Sequence, residues 1–173
     1  MGINVASSTA RLLFAAALAT AVASAACAGG GASPTAPGSA SASTDALAAA
    51  SAACVARVNQ LRASAGDPPL TQSERISEFS TEAAHVDGEA HQAHKYFLET
   101  NGGNGTAFAE NMIPWWKVSE WGSVDAVVRK GLDQMWAEGP GGYHYINMRG
   151  HYTEMGCGIA VISGEVTVSQ DFR

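Results

Sequence analysis

The stretch PGGYHYINMRGHYTEMGCG, Pro140 to Gly158, is the most informative part of the sequence. It holds two histidines, His144 and His151, each followed by a tyrosine, and it links a Gly-rich turn to an apolar segment. That segment continues as TEMGCGIAVISGEVTVSQDF, where two runs of β-forming residues flank Ser163-Gly164. The pattern predicts a β-hairpin at the C-terminal end of the chain.

Apolar residues at helical spacing predict three helices upstream of this stretch. The first covers CVARVNQLRAS, and the Gly-Asp-Pro-Pro run after it ends the helix. The third has Ser123 as its N-cap and ends at the Gly-Pro-Gly-Gly run from Gly139 to Gly142. A short strand, TAFAENMI, lies between the second and third helices. The order helix, helix, strand, helix, strand, strand predicts an α+β fold with a partly antiparallel sheet.

The apolar spacing of the second helix points to one histidine, His94, as a candidate site residue. Thr71 and Glu74 have the spacing of a capping box at its start. Its apolar stripe, with steps of three and four residues, is Ile76, Phe79, Ala83, Val86 and Ala90. If the helix continues, the next position in this series is His94, which would face the core, whereas His91 falls outside the series.

Two glutamates also interrupt or end apolar faces. Alternation along the short strand puts Phe108, Glu110 and Met112 on one face. Glu138 lies three residues beyond Met135, at the end of the apolar side of the third helix. A carboxylate in such a place needs a partner, because burying it unpaired costs free energy.

His144 follows Glu138 by six residues, across the Gly-rich turn. A cleft with two imidazoles and two carboxylates would bring together His94, Glu110, Glu138 and His144. Such a group can bind Zn²⁺ or another divalent cation through the histidines, use one glutamate as a general base for hydrolysis, or form a purely structural network. The sequence has no His-Glu-x-x-His or Gly-x-Ser-x-Gly motif, so binding is favoured over catalysis.

Four segments, taken in order, resemble the CAP superfamily, also called SCP domains. They are VNQLRASAGDPPL, AENMI, MWAEGPGGYHYINM and YTEMGCGIAV, and the resemblance covers about residues 50–173. Ala109 stands where the family usually has glycine. The resemblance implies a three-layer α-β-α sandwich and a cleft tetrad at His94, Glu110, Glu138 and His144. It also implies a protein that acts by binding, since some members bind sterols or other lipids.

His144 and His151 are the two candidates for the last position of the tetrad. GHYTE at His151 resembles a string of eukaryotic members, but that string lies several residues before the Gly-Cys strand, and only Met155 intervenes here. In bacterial members the histidine follows the Pro-Gly turn and an asparagine comes three residues later. This spacing fits His144 and Asn147, so we predict His144, with His151 as the alternative.

The N-terminal region predicts export. LLFAAALATAVA after Arg11 is typical of a secretory signal, residues 1–27, and a Gly/Ser/Ala/Pro linker, 28–45, precedes the domain, 46–173. Ala-Ala-Cys at Cys27 resembles the end of a lipobox, while Ala-Ser-Ala just before it suits ordinary signal peptidase. The protein is therefore expected to be secreted, periplasmic or on the outer surface, with or without a lipid anchor at Cys27.

The two remaining cysteines and the net charge give expectations about a disulfide and about the kind of partner. Cys54 and Cys157 are left in an oxidising compartment and predict a disulfide, with two buried free thiols as the alternative. The net charge of −6 and the lack of a basic run exclude nucleic acid and anionic membrane surfaces as partners. The expected partner is an unidentified small-molecule or lipid ligand, or a protein.

Overall fold

The computed structural model describes residues 43–173, so the predicted signal, Cys27 and most of the predicted linker lie outside it. The helices and strands of the described part are α1 (Thr44–Ser64), β1 (Thr71–Gln72), α2 (Glu74–Ala90), α3 (Lys95–Gly105), β2 (Ala109–Lys117), α4 (Val118–Trp121), α5 (Val124–Ala137), α6 (Tyr143–Arg149), β3 (Glu154–Ile162) and β4 (Glu165–Phe172). A 3₁₀ turn, Gly139–Gly141, joins α5 to α6. The sequence prediction missed β1, α3, α4 and α6, which are short or interrupted by glycine.

Helix α1 begins two residues before the predicted start of the domain. The Oγ of Ser43 caps it by accepting a hydrogen bond from the N–H of Ala46 (3.3 Å). The helix ends before the predicted Gly-Asp-Pro-Pro stop. Arg62 near this end is only 2% exposed, and its guanidinium donates to three backbone carbonyls, those of Pro68, Met148 and Gly150. These bonds fix α1 against the segment before β1 and the C-terminal end of α6.

Helix α2 differs from its prediction at both ends. Thr71 belongs to β1 and Ser73 precedes the helix, so the predicted capping box is wrong. Ala90, predicted to be buried, is exposed. The buried residues are Ile76, Ser80, Ala83, Ala84, Asp87 and Gly88. Small side chains dominate this face because the helix backbone lies directly over Gly156 and Gly158 of β3.

The four strands form one mixed sheet in the order β1-β3-β4-β2. The predicted hairpin of β3 and β4 is confirmed, and both turn residues, Ser163 and Gly164, have positive φ (52° and 83°). β2 pairs antiparallel with β4, and β1 pairs parallel with β3. Helix α2 packs on one face of the sheet, and α1 and α5 pack on the other. This confirms the predicted three-layer α-β-α sandwich.

The predicted disulfide between Cys54 of α1 and Cys157 of β3 is confirmed. Both cysteines are fully buried in the main core, and their Cα atoms are 6.3 Å apart. The same two elements are joined by a hydrogen bond from the Oγ of Ser51 to the carbonyl of Cys157 (2.5 Å). Helix α1 is therefore attached to the middle of β3 by a covalent and a polar contact.

Helix α5 follows its prediction closely. The Oγ of Ser123 caps it by accepting from the N–H of Ala126 (3.1 Å). Its buried residues are Val127, Val128, Gly131, Leu132 and Met135. Within residues 43–173, none of the helices has the length and hydropathy that a membrane span requires.

Candidate functional site

His94 and Glu110 form the first polar pair of the site. Nδ1 of His94 lies 2.8 Å from Oε1 of Glu110, which makes it the donor to a carboxylate. The predicted reason for this placement is wrong, because α2 ends at Ala90 and does not extend to His94. Two residues with positive φ, His91 (47°) and His94 (60°), turn the chain between α2 and α3. It is this turn, and not a helical stripe, that directs the imidazole toward β2.

Glu110 lies in a buried acidic environment. Its side chain is 1% exposed, and its Oε2 has no hydrogen-bond partner within the described residues. Asp171 of β4 is directly opposite in the strand register, so both side chains project from the same face of the sheet, beneath α2. Asp87 of α2 is also fully buried and accepts one hydrogen bond, from the N–H of Tyr96 (2.8 Å).

These carboxyls and His94 have shifted pKa values. Burial raises the pKa of Glu110, although its hydrogen bond to His94 opposes the shift. Burial, together with the nearby charge of Glu110, raises the pKa of Asp171 well above its usual range. Burial also raises the pKa of Asp87. The hydrogen bond to Glu110 raises the pKa of His94. The folded protein therefore retains protons here that the unfolded chain releases.

Glu138 and His144 form the second pair. Nδ1 of His144 lies 2.5 Å from Oε1 of Glu138. Glu138 is the residue that ends α5, and the glycine-rich 3₁₀ turn Gly139–Gly141 reverses the chain so that α6 carries His144 back to it. Both side chains are about one third exposed, 36% for His144 and 35% for Glu138. The sequence prediction placed these two residues together across the same turn, which agrees with this contact.

Two asparagines connect the pairs. The side-chain amide of Asn147 donates to Oδ1 of Asn111 (2.9 Å) and, at 3.4 Å, to the carbonyl of Glu110. The amide of Asn111 in turn donates to the carbonyl of His144 (3.1 Å). The side chain of Asn147 and the carbonyl of His144, both in α6, therefore contact β2. The two His–Glu pairs thus belong to one hydrogen-bonded region formed by β2 and α6.

The other histidines lie elsewhere. His91 is exposed and pairs with Glu165 (2.9 Å), and His85 is exposed and lies 3.8 Å from Glu89. His151, the alternative to His144, is exposed and close to Asp67. Within residues 43–173, no group of three or more His, Cys, Asp or Glu side chains is arranged to hold one metal ion. The histidines that contact the two glutamates are therefore His94 and His144.

Sequence reasoning missed Asp87 and Asp171. Asp171 ends the alternating run of β4, and Ser169 and Thr167 share its side of the strand. In isolation this polar row is typical of a solvent-exposed sheet face. Here α2 covers the row, so only the strand register and the helix position show that Asp171 is buried opposite Glu110.

We expect the stability of the folded domain to fall as the pH rises above about 4, where the carboxyl groups of the unfolded chain ionise. Above this pH the native state holds protons on Asp171 and Asp87 that the unfolded chain releases, and the state that binds more protons is destabilised as the pH rises. The raised pKa of His94 acts in the same direction above its ordinary value. Thermal unfolding at a series of pH values measures this slope.

The variant Asp171→Asn should flatten this pH dependence, because the amide cannot ionise. Glu120→Gln is the matched control, since it also replaces a carboxylate by an amide but at an exposed position. If Asp171→Asn keeps the wild-type slope, Asp171 does not hold a proton in the folded state at pH values where the unfolded chain releases it.

The comparisons with known proteins agree with this fold. The sequence model of the family described as CAP, the cysteine-rich secretory protein family, matches residues 55–172. The match covers well over half of the chain, and the chain therefore belongs to the CAP family. No curated protein sequence matches the chain at a significant level.

Two solved bacterial structures are similar to it. One is a cysteine-rich secretory protein from Staphylococcus aureus, with 11% identity, a TM-score of 0.51, and coverage of 76% of this chain and 40% of the other. The second is an extracellular protein containing an SCP domain from Bacillus anthracis, with 13% identity, a TM-score of 0.49, and coverage of 78% and 45%. The chain thus spans less than half the length of either protein. At these identities the likeness concerns the fold alone.

Proposed function

We propose that the chain is a non-catalytic, extracytoplasmic CAP-domain module that binds a divalent cation such as Zn²⁺ through His94 and His144. The observation that carries this proposal is the shared geometry of the two pairs. In each pair a carboxylate engages Nδ1 of an imidazole, which leaves Nε2 as the ring nitrogen available to a cation. A carboxylate in this position fixes the tautomer and the orientation of a metal-binding histidine.

The chemistry of the donors fits zinc. Neutral imidazoles are good zinc ligands, and two of them leave open positions for water or for a donor atom of a small or lipid ligand. Both rings are accessible, with His94 38% and His144 36% exposed. Since the described residues offer no third His, Cys, Asp or Glu ligand, we expect weaker binding than at a closed structural zinc site.

Two other functions use the same residues. A metal-assisted hydrolase would need one glutamate as a general base. Both carboxylates already pair with histidines, so the structure supports this alternative less well than cation binding. A purely structural network is favoured by the bonds of Asn111 and Asn147 that join β2 to α6. Zinc binding separates the structural alternative from the proposal, because a structural network requires no cation.

Zinc titration by calorimetry tests the proposal. His94→Ala and His144→Ala should each weaken Zn²⁺ binding at least tenfold, because each removes one of two protein ligands. His85→Ala and His151→Ala are matched controls that remove exposed imidazoles elsewhere, and they should leave binding unchanged. Equal binding by all four variants would contradict the proposal. Loss of stability in the first two variants without any zinc binding by the wild type would support the structural network.

The pH dependence of zinc binding gives a second readout. Protons compete with the cation for the ring nitrogens, so affinity should fall as the pH drops through the histidine range. The hydrogen bond to Glu110 raises the pKa of His94, so the loss should begin at a higher pH than for an unperturbed imidazole. Glu110→Gln removes this carboxylate and should move the onset to lower pH.

We also propose that the module acts outside the cytoplasm, either released or anchored by lipid at Cys27. The disulfide between Cys54 and Cys157 supports this location, because such bonds persist in oxidising compartments. Cys27 itself lies outside the described residues, and both forms of export are compatible with the sequence there.

A further inference from the structure

Within residues 43–173, no strand pairs with the outer edge of β3 over most of its length. β4 covers one edge of β3, while β1 covers the other only at Glu154 and Met155. Glu154 exchanges two hydrogen bonds with Arg173, both 2.9 Å, so alternate residues from Glu154 onward bond toward β4. The residues between them, starting with Met155, direct their backbone N–H and C=O groups away from β4, toward the outer edge of β3. The carbonyl of Met155 accepts from the N–H of Ser73 (2.9 Å).

Past Met155, the backbone groups of β3 that point away from β4 have no strand to pair with among the described residues. The carbonyl of Cys157 accepts from Ser51. For the N–H and C=O groups of Ile159 and Val161, no residue within 43–173 provides a hydrogen bond on this side. Ile159 is only 4% exposed, and buried backbone groups are almost always paired. This recessed edge therefore offers unused donors and acceptors in the pattern of a missing strand.

Ile159 on this edge lines a groove between α1 and α2, with a volume of about 720 Å³, which we call the α1–α2 groove. The α1 wall is small or apolar, with Leu47, Ala48 and Ser51. The α2 wall carries three glutamates, Glu74, Glu78 and Glu82, and all three are exposed. Among the described residues, no basic side chain lies within ion-pair distance of these three carboxylates.

The glutamates are spaced to match a strand. Gly156 lies against Ser77, and Gly158 lies against Ser80 and Thr81, so α2 runs in the same direction as β3 and advances about four residues for every two strand residues. Four helical residues rise about 6 Å, and two strand residues rise about 6.6 Å. Every second side chain of an added strand would therefore meet the next glutamate along α2.

We propose that the α1–α2 groove is a strand-addition site for an extended peptide segment with Lys or Arg at alternate positions. The peptide backbone pairs with Ile159 and Val161, as in other cases where a peptide extends a sheet. Its basic side chains face Glu74, Glu78 and Glu82, and the apolar side chains between them face the α1 wall. Backbone pairing supplies affinity, and the row of carboxylates selects basic over acidic sequences. This site is separate from the His–Glu pairs.

A labelled synthetic peptide of alternating lysine and valine, seven residues long, tests the proposal by fluorescence anisotropy with the full-length chain. We expect it to bind, while the matched peptide of alternating glutamate and valine does not. A third peptide keeps the lysines but carries N-methyl groups on alternate amides, which removes strand hydrogen bonds without changing charge. Its affinity should be at least tenfold lower. Equal affinity of the methylated and unmethylated peptides would overturn the proposal.

The double variant Glu78→Gln/Glu82→Gln should weaken binding of the lysine peptide about three- to tenfold, as expected for two partly exposed ion pairs. Glu99→Gln/Glu120→Gln is the control, because it makes the same charge change at exposed positions outside the groove. Hydrogen exchange should show new protection at the amides of Ile159 and Val161 when the peptide is bound. If the two double variants bind equally, or these amides stay unprotected, the groove is not the site.

Discussion

Replacing Cys54 and Cys157 together by alanine should lower the free energy of unfolding by about 4 kcal/mol, the largest effect we expect from a change in the core. The disulfide joins residues 103 positions apart. In the chain-entropy description, a cross-link over so long a loop strongly restricts the unfolded chain. Both side chains are also fully buried, so their loss removes packing between α1 and β3.

Urea unfolding followed by tryptophan fluorescence measures this effect. The wild-type protein in reducing buffer is the internal control, and it should unfold at nearly the same urea concentration as the double variant. A double variant as stable as the oxidised wild type would show that the bond contributes nothing to the fold.

Gly158→Ala should destabilise the domain by about 3 kcal/mol, the upper part of the range for overpacking. A Cβ at this position would overlap backbone atoms of Ser80 and Thr81, which cannot rotate away as a flexible side chain can. Relief requires α2 to move off the sheet, and this movement would also disturb Asp87 and Asp171 beneath the helix.

Gly141→Ala is the matched control for this prediction. Its added Cβ would meet nothing within 4 Å, and its φ is not positive. We expect a change within about 0.5 kcal/mol, which is usual for a surface substitution. Thermal unfolding of both variants gives the comparison. A Gly158→Ala protein with wild-type stability would mean that α2 does not lie in contact with β3.

Features with local signals could be predicted from the sequence. The β3–β4 hairpin follows from alternation around Ser163-Gly164, and α5 follows from its cap at Ser123 and its apolar spacing. The disulfide could be predicted without geometry, because the predicted export leaves two cysteines to pair in an oxidising compartment. The contact of Glu138 with His144 could also be predicted, since a short glycine-rich turn limits how far apart these residues can lie.

Features that depend on long-range packing could not be predicted. His94 contacts Glu110 as expected, but left-handed residues place it there, and no helical pattern reveals such a turn. The buried side of α2 is rotated from its apolar stripe toward Ser80 and Asp87. The reason is that glycines of β3, which is distant in sequence, leave room for the helix backbone to pack closely on the sheet. Asp171 is buried only because a strand register sets it opposite Glu110.

The most direct test of the cation site is ¹⁵N NMR of the histidine ring nitrogens during a Zn²⁺ titration of the full-length protein. We expect the Nε2 signals of His94 and His144 to shift together at substoichiometric zinc. Their Nδ1 atoms should stay protonated, because Glu110 and Glu138 accept from them. Zinc that leaves both Nε2 signals unchanged, or that shifts His85, His91 and His151 to the same extent, would contradict a cation site at this pair of histidines.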